Sequence, residues 1–327
     1  MRAALEAWLR TEWHADRIEV SEPTRLAGGA IQDNHRINVT VTGGPNSGTH
    51  DLVLRRDAPS TLPMSHSRTE EYRLLLAAHS AGITVAEPIA LCSDSTPLGS
   101  AFFLMRHVPG TADPRRLTAE APLPDLVRAC GRDLARIHAI PTDTLALLGP
   151  APQDPARAAI AFLRALLDAL PDRHPGLEYG LAALERTAPP PVPATLCHRD
   201  FRTGNIMAES GRLTAILDWE FAGWSDPAED IGWFCAACWR FRRPDLEAGG
   251  LGTRTDLLAG YAQAGGILPD PSRIDWWQHI ALARWAVIAL HQAERQRSGG
   301  EDSLELALTG HLVPELELDL LTATGPA

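Results

Sequence analysis

Two polar motifs in the second half of the sequence have residue types and a spacing that suit one kind of chemistry. The first motif contains His198, Asp200 and Asn205 in the pattern H-x-D-x-x-x-x-N. The second is Asp218, thirteen residues beyond the asparagine, at the end of an apolar segment. Carboxylate and amide oxygens are ligands that Mg²⁺ prefers, and a second carboxylate could accept the proton of a substrate hydroxyl. Together the motifs favour phosphoryl transfer, which depends on a metal ion and on positioning.

Each motif alone also has a simpler interpretation as part of a loop. Asp, Gly and Asn are common in turns, and an aspartate that follows a strand can cap a helix. The order and spacing of the two motifs together favour the chemical interpretation over the structural one.

The elements that must position these residues fall into two parts. Over the first hundred residues, alternating polarity and strong turns predict a small antiparallel sheet with one inserted helix at 68–81. From about residue 119 the apolar spacing becomes helical. We therefore expect an α+β fold with two lobes. A nucleotide-binding lobe would cover 1–108, with a leading helix over 1–17, and a mainly helical lobe over 109–327 would carry a catalytic loop at 198–205.

The first lobe offers the parts that a kinase-like site needs, in the required order. These parts are a glycine turn over the phosphates, a cation on the third strand, a helix glutamate that holds the cation, and an extended connector for the adenine. Arg55 ends an apolar strand and Glu71 lies in the helix that follows, so we expect the two side chains to form an ion pair. The candidate nucleotide-binding residues are Gly28, Gly29, Arg55, Glu71, Met105 and His107.

The sequence resembles the aminoglycoside phosphotransferases and their kinase-like relatives. The resemblance implies the bilobal fold of the protein kinases, ATP as phosphate donor, Mg²⁺ as cofactor and a small-molecule hydroxyl as acceptor. The matching segments are LAGGAIQDN (26–34), LVLRR (52–56), TEEYRLL (69–75), FFLMRHVPG (102–110), DLARIH (133–138), LCHRDFRTGNIM (196–207) and AILDWEFAGWSDPAEDIGW (215–233).

Carried over residue by residue, the resemblance assigns a role to each matching polar residue. It implies that Asp200 is the catalytic base and that Asn205 and Asp218 are magnesium ligands. Arg55 would contact the α- and β-phosphates, with Glu71 as its partner. An arginine in place of the usual lysine keeps the charge and offers a planar fork to phosphate oxygens.

Two positions of the loop depart from the pattern of the antibiotic kinases. Arg199 stands where those enzymes usually have glycine. An arginine at this position resembles the loop of the protein kinases instead. Arg202, two residues after Asp200, follows the protein-kinase pattern with arginine for lysine. We expect Arg202 to act as a catalytic residue near the transferring phosphate. The alternative is that it pairs with an acidic neighbour, Glu220 or Asp226, and only holds the loop.

Composition excludes several other classes of protein. The chain has 327 residues, of which 45% are hydrophobic, and all 30 basic residues are arginine. The absence of lysine excludes Schiff-base and Walker-A mechanisms. A net charge of −11 argues against a nucleic-acid or anionic-membrane partner, and no apolar run approaches a membrane span. Five cysteines, without an export signal, predict a cytoplasmic protein whose Cys235 and Cys238 are buried structural thiols.

The function and the acceptor each keep alternatives. An active kinase is favoured over a nucleotide-binding pseudokinase or scaffold. A protein kinase is disfavoured because Asp226 and Pro227 follow Asp218 without an activation segment. The acceptor would be an aminoglycoside-like antibiotic, or a hydroxyacyl-CoA or other acidic alcohol. The net negative charge favours the first class. A pocket of tryptophans with an arginine rim would favour the second, although core packing of the aromatic residues is the simpler interpretation. The residues concerned are Trp233, Trp239, Phe241, Trp276, Trp277, Trp285, Arg240, Arg242 and Arg243.

Overall fold

The computed structural model describes residues 1–26, 32–57, 65–299 and 303–325, and the chain divides into two compact units. The first unit comprises Met1–Gly110 and Thr214–Phe221, and the second comprises Thr111–Leu213 and Ala222–Ala327. The segment 214–221, which contains Asp218, lies in the range that the sequence assigned to the helical lobe. It belongs instead to the first unit, where the Ile216 N–H donates to the Thr84 carbonyl oxygen at 2.8 Å.

The described part of the first unit is an antiparallel sheet with two helices. Its elements are α1 (Arg2–Glu12), β1 (Arg17–Val20), β2 (Thr24–Arg25), β3 (Gln32–Thr42), β4 (Gly48–Asp57), α2 (Arg68–Ser80), β5 (Pro88–Cys92) and β6 (Phe102–Arg106). The strand order is β1-β3-β4-β6-β5, with β2 paired to β3, so β4 lies in the middle of the sheet. Four consecutive residues of β4, from Leu52 to Arg55, are buried, which shows that both faces of this strand are covered.

The sequence predicted a leading helix over 1–17, but the helix ends at Glu12. His14 has a left-handed backbone with φ of +49°, which a helix does not tolerate. The Asp16 N–H then donates to the Thr42 carbonyl oxygen at 3.0 Å, and Arg17 begins β1 opposite Thr42. Pairing with β3 therefore replaces the last helical turn that the apolar spacing predicted.

The described part of the second unit is mainly helical, so the predicted α+β fold is confirmed. Its strands β7 and β10 pair antiparallel. The elements are α3 (Pro114–Glu120), α4 (Pro124–His138), α5 (Pro155–Asp168), α6 (Pro175–Arg186), β7 (Thr195–Cys197), β8 (Ile206–Glu209), β9 (Arg212–Ile216), which continues into the first unit, β10 (Gly223–Ser225), α7 (Pro227–Cys235), α8 (Arg254–Gln263), α9 (Pro271–Arg297), α10 (Leu304–Thr309) and α11 (Val313–Thr324).

An aspartate followed by proline starts several of these helices. Asp154, Asp226 and Asp270 are the N-caps of α5, α7 and α9, and each side chain accepts a backbone N–H of the first turn. Proline at the first helical position lacks the N–H that would otherwise be unsatisfied there. The Asp-Pro pairs in the sequence thus fix where these helices begin, and α7 carries residues of the candidate site. Within the described ranges, no helix is both long and apolar enough to cross a membrane. The cellular compartment stays a prediction.

Helices α4 and α8 cross closely because each has a glycine at the crossing point. A Cβ atom on Gly131 would lie 2.0 Å from the Leu257 carbonyl oxygen, and one on Gly260 would lie 2.0 Å from the Arg128 carbonyl oxygen. Both obstacles are backbone atoms, which cannot rotate away. The two glycines therefore set the distance between α4 and α8.

We predict that Gly131→Ala destabilises the protein by about 1–3 kcal/mol, because the added methyl group would push the two helices apart. The measurement is urea or thermal unfolding followed by circular dichroism. The sign of the change is decisive, since alanine at an unhindered helical glycine would stabilise by up to about 1 kcal/mol. An unchanged or increased free energy of unfolding would show that the helices do not meet at Gly131.

Candidate active site

A buried carboxylate on α7 holds the backbone of the loop that follows β7. Asp230 is completely buried, and its two oxygens accept the N–H groups of His198 and Arg199, each at 2.7 Å. The His138 Nε2 atom lies 3.1 Å from Asp230 Oδ2. Burial raises the pKa of Asp230, but the hydrogen bond and charge of His138 outweigh it and the pKa is lowered overall. The carboxylate is therefore ionised at neutral pH and fixes the start of the loop.

The loop makes a tight turn at Arg199, which has a left-handed backbone with φ of +62°. Glycine adopts this conformation without steric cost, which is consistent with the glycine that the antibiotic kinases usually have here. The arginine is held by other contacts, since its N–H is bound to Asp230 and its Nε lies 3.3 Å from Glu229 Oε1. The departure from glycine is thus compatible with the same loop shape.

The Asp200 carboxylate accepts hydrogen bonds from three side chains. Asn205 Nδ2 donates to Oδ2 at 2.7 Å and to the Asp200 carbonyl oxygen at 2.9 Å. Trp233 Nε1 donates to Oδ1 at 3.2 Å. Arg202 Nε lies 3.2 Å from Oδ1 and 3.3 Å from Oδ2. With 13% of its side chain exposed, Asp200 is held in place and still accessible.

Arg202 pairs with Asp200, an acidic neighbour that the alternative interpretation of this arginine did not name. The residues after Arg202 form a single 3₁₀ turn at Thr203–Asn205, which leaves the Arg202 Nε next to the preceding carboxylate. Asp226 is occupied by Arg273 Nε at 2.6 Å. The Arg202 guanidinium also lies over the Trp239 ring, 5.1 Å from its centroid.

Five tryptophans of the second unit form two groups. Trp233 packs against Trp239 with ring centroids 5.3 Å apart, and Trp239 packs against Trp285 at 4.9 Å. Trp276 and Trp277 form a separate buried pair at 5.0 Å, in which the Trp276 N–H donates to the Leu184 carbonyl oxygen. Core packing therefore describes the second group, whereas in the first group Trp233 contacts Asp200.

The arginine rim expected around the aromatic residues is not formed by the residues named for it. Arg240 donates to the Cys235 carbonyl oxygen and, at 3.0 Å, to Gln278 Oε1. Arg243 lies near the carbonyl oxygens of residues 118 and 121. Arg242 is exposed. The arginines that do contact the tryptophans are Arg202 and Arg284, whose guanidinium lies 4.6 Å from the Trp233 ring centroid.

In the first unit the expected ion pair between Arg55 and Glu71 is present. Arg55 Nε and Nη2 donate to the two Glu71 oxygens at 3.0 and 2.6 Å, and both side chains are at least 95% buried. The same Nη2 donates to Asp218 Oδ1 at 2.9 Å, a contact that the sequence did not predict. Burial alone would lower the pKa of Arg55, but the Glu71 and Asp218 carboxylates raise it above its usual value. The guanidinium is thus a permanent charge next to Asp218.

A second buried arginine, Arg68, extends this cluster. It forms ion pairs with Glu71 and, at 3.1 Å, with Glu220, and its Nε lies 2.9 Å from Asp57 Oδ1. The cluster thus contains two guanidiniums, of Arg55 and Arg68, and the four carboxylates of Asp57, Glu71, Asp218 and Glu220. Burial and the nearby Asp218 raise the pKa of Glu220 to about 7. The carboxylates exceed the guanidiniums, so the cluster would favour an additional positive charge.

The other candidate nucleotide-binding residues are Gly28, Gly29, Met105 and His107. Gly28 and Gly29 lie outside the described residues. Met105 lies in β6, which ends at Arg106, so the connector that follows this strand begins at His107. The His107 N–H donates to the Asp51 carbonyl oxygen at 3.0 Å, and His107 Nδ1 lies 3.3 Å from Asp51 Oδ2.

Cys235 is buried, as the sequence predicted, whereas Cys238 is only half-buried. All five cysteines lie among the described residues and none forms a disulfide. Burial raises the pKa of Cys235 and Cys238 to about 12, so both stay protonated. The side chains of His138, Cys197 and Asp230 lie close enough together to hold a metal ion. However, both Asp230 oxygens already accept backbone N–H groups, and burial keeps the pKa of Cys197 well above its usual value.

Sequence reasoning did not predict the contacts that Arg68, Glu220, Asp230 and Trp233 make in these two clusters. Arg68 stands three positions before Glu71, which is the spacing of an ion pair on a helix, and this signal was available. Glu220 stands two residues after Asp218 and carried no separate signal. Asp230 and Trp233 contact the loop from α7, some thirty residues further along the chain. Such contacts depend on the tertiary fold and not on local spacing.

Comparison with known proteins gives a consistent result for the fold. A candidate aminoglycoside phosphotransferase from Ralstonia eutropha superimposes with a TM-score of 0.70 at 22% identity, covering 98% of this chain and 97% of that one. A spectinomycin phosphotransferase, solved with ADP and spectinomycin, superimposes with a TM-score of 0.64 at 12% identity, covering 98% of both chains. At these identities the likeness shows a shared fold.

Among curated proteins, the chain is similar to mammalian sequences named for another activity. It is 29% identical over 297 residues to the mouse acyl-CoA dehydrogenase family member 10, covering 84% of this chain and 27% of that protein. The chain spans between 25% and 40% of the length of the curated relatives it matches. It therefore corresponds to one part of those longer proteins.

A comparison with models of protein families identifies the family of this chain. Residues 22–277, which include both polar motifs and the Arg55–Glu71 pair, match the model described as the phosphotransferase enzyme family. That range is most of the chain. The chain therefore belongs to the phosphotransferase enzyme family.

Proposed function

We propose that the protein transfers the γ-phosphate of ATP to a hydroxyl group of a small molecule, with Mg²⁺ as cofactor. The observation that supports this most strongly is the Asp200 carboxylate. It is oriented by Asn205 at 2.7 Å and is carried by a loop whose backbone is bound to the buried Asp230. A carboxylate held in this way suits the base of a phosphoryl transfer, where positioning contributes much of the rate.

In the proposed reaction, Asp200 orients the acceptor hydroxyl and accepts its proton. The hydroxyl oxygen forms a bond to the γ-phosphorus while the bond from that phosphorus to the bridging oxygen of ADP breaks. The products are a phosphomonoester and ADP. Arg202, whose Nε lies beside Asp200, is proposed to stabilise negative charge on the transferring phosphoryl group.

Asn205 and Asp218 are the proposed magnesium ligands, and their chemistry fits the ion. The Asn205 amide nitrogen is occupied by Asp200, so its amide oxygen would be the metal ligand. Asp218 offers a carboxylate with about a quarter of its side chain exposed, in a cluster where carboxylates exceed guanidiniums. When bound, Mg²⁺ would neutralise charge on the phosphate oxygens.

The proposed nucleotide contacts lie in the first unit. Arg55 would contact the α- and β-phosphates, and Glu71 would fix the orientation of its guanidinium. We also propose that Gly28 and Gly29 approach the phosphates and that Met105 and His107 flank the adenine. Arginine is well suited to the phosphate contact because its planar fork matches phosphate oxygens.

For the acceptor we propose an acidic alcohol, with a hydroxyacyl thioester as the leading class, in preference to an aminoglycoside. Two guanidiniums, of Arg202 and Arg284, lie on the faces of Trp239 and Trp233 beside Asp200. Such surroundings favour an anionic and partly apolar molecule over a polycation. The acyl-CoA names of the longer relatives are consistent with this class.

The test is an acceptor screen with the purified full chain, Mg²⁺ and ATP, with GTP as a second donor. ADP release identifies active acceptors, and ³¹P NMR distinguishes a new phosphomonoester from free phosphate. The panel contains hydroxyacyl-CoA thioesters, simple hydroxy acids and aminoglycosides. We expect a phosphomonoester with the first class. Binding of ATP without phosphate transfer to any of these compounds would favour the nucleotide-binding scaffold instead, and transfer to aminoglycosides alone would contradict the acceptor class.

We predict that Asp200→Asn and Asp218→Ala each lower kcat by several orders of magnitude, for different reasons. Asp218→Ala removes a metal ligand and should weaken binding of Mg²⁺–ATP. Asp200→Asn removes the proton acceptor and should leave nucleotide affinity nearly unchanged. Calorimetric titration with Mg²⁺–ATP, beside steady-state kinetics, separates the two effects. An equal loss of ATP affinity in both variants would contradict this division of roles.

We predict that Arg55→Lys raises the KM for ATP by about tenfold or more, because lysine keeps the charge but cannot bind Glu71 with two nitrogens. The matched control is Arg36→Lys, which makes the same exchange in the half-exposed Arg36–Asp51 pair at 2.7 Å on the same sheet. The control should have wild-type kinetics, since exposed pairs contribute about 0–1 kcal/mol. Identical ATP kinetics in both variants would exclude Arg55 from the nucleotide site.

We predict that Arg202→Ala lowers kcat and kcat/KM together by about a hundredfold or more with little change in melting temperature, because a charge that acts in the transition state is lost. Steady-state kinetics and differential scanning fluorimetry provide both quantities. If Arg202 only holds the loop, the loss of activity should instead follow a fall in melting temperature. Unchanged turnover would end the catalytic assignment.

A further inference from the structure

Trp233 donates its indole N–H to Asp200 Oδ1 at 3.2 Å, and this contact lies outside the bond changes of the proposed reaction. We propose that Trp233 is a positioning residue, which fixes the plane of the Asp200 carboxylate so that one oxygen faces the acceptor hydroxyl. The inference rests on the proposed function of Asp200 as the base. It adds a residue of α7 to the machinery that holds this base.

The three donors around Asp200 do not constrain it in the same way. Of the two carboxylate oxygens, Asn205 binds only Oδ2, at 2.7 Å. Arg202 Nε lies at nearly equal distances from both oxygens, 3.2 and 3.3 Å. Rotation of an aspartate carboxyl group about its last torsion is otherwise soft. The bond from Trp233 to Oδ1 gives the second oxygen its own donor, so two directed hydrogen bonds define the plane.

Trp233 itself is well fixed. Only 2% of its surface is exposed, one face carries the Arg284 guanidinium at 4.6 Å from the ring centroid, and Trp239 packs against it at 5.3 Å. Arg284 is in turn held by Glu229, with Nη1 donating to Oε1 at 3.0 Å. Because the ring cannot rotate without breaking these contacts, its N–H is directed at Asp200 in advance.

The position of Trp233 on α7 links it to the loop backbone. Asp230, one turn earlier on the same helix, accepts the N–H groups of His198 and Arg199. Residues three apart on a helix lie on neighbouring parts of its surface. One rigid helix therefore holds both the backbone before the base and the carboxylate of the base, so that a shift of α7 would move the two together.

Trp233 also completes a closed set of contacts with Arg202. Arg202 lies on the Trp239 ring at 5.1 Å, Trp239 packs against Trp233, and both Arg202 and Trp233 bind the same carboxylate. Loss of the indole N–H removes one member of this set and leaves the ring packing in place. Trp233→Phe is therefore the appropriate variant, because phenylalanine keeps an aromatic ring and has no donor.

A first experiment tests the contact without any enzymatic assay. The nine tryptophans of the chain give indole N–H signals in a ¹⁵N-labelled sample, and Trp233→Phe identifies the signal of Trp233 by its loss. Asp200→Ala should shift this signal strongly towards that of a free indole. The signal of Trp285, identified by Trp285→Phe, should move little. An unchanged Trp233 signal in Asp200→Ala would overturn the proposal, whatever the acceptor proves to be.

A second experiment tests the effect on catalysis with Mg²⁺–ATP and the acceptor found by the screen. Trp233→Phe should lower kcat about tenfold, as expected for loss of a hydrogen bond to a charged group, with both KM values and the melting temperature nearly unchanged. Trp285→Phe is the matched control, because Trp285 packs in the same aromatic group and has no bond to Asp200 among the described contacts. It should keep wild-type kcat.

The double variant separates positioning from a general structural effect. If Trp233 acts through Asp200, then Trp233→Phe should cause no further loss in an Asp200→Ala background, measured in single turnovers with labelled ATP. A full tenfold loss in that background, or wild-type kcat in Trp233→Phe alone, would overturn the proposal. Should the wild-type chain transfer no phosphate, the proposed function would fail, and the indole signal would still decide whether Trp233 holds Asp200.

Discussion

The buried Asp230 carboxylate is the constraint on which the loop that carries Asp200 depends. Its two oxygens bind successive backbone N–H groups at 2.7 Å, and one of those residues, Arg199, has a left-handed backbone that needs such support. A buried ion is costly unless hydrogen bonds satisfy it, and here the loop itself provides them. The loop therefore stabilises the buried carboxylate, and the carboxylate stabilises the backbone of the loop. The backbone in turn sets the position of Asp200.

The first unit contains a buried cluster of charged side chains. Arg55 and Arg68 bring two fixed charges into the unit, and Glu71 binds both of them. Asp218 and Glu220 then add negative charge that the arginines do not balance, and burial together with the nearby Asp218 raises the pKa of Glu220 to about 7. By itself the cluster has more carboxylates than guanidiniums. It would be stabilised by a divalent cation at Asp218, in keeping with the magnesium site that we propose.

The sequence predicted those features that follow from local patterns or from the order of residue types along the chain. The sheet follows from alternating polarity with strong turns, and the Arg55–Glu71 pair was expected from the order of parts that a kinase-like site needs. Features that depend on packing were not predictable. Trp233 meets Asp200 across 33 positions of sequence. The membership of Asp218 in the first unit likewise depends on hydrogen bonds between distant segments.

The most direct test of the account is a crystal structure of the chain with Mg²⁺ and a non-hydrolysable ATP analogue. The account predicts that the Arg55 guanidinium lies within hydrogen-bond distance of the phosphate oxygens while Glu71 still binds it, and that an Asp218 oxygen coordinates the metal at 2.0–2.1 Å, the distance that is usual for Mg²⁺. A nucleotide bound elsewhere, or Asp218 still bound only to Arg55 with no metal, would contradict it.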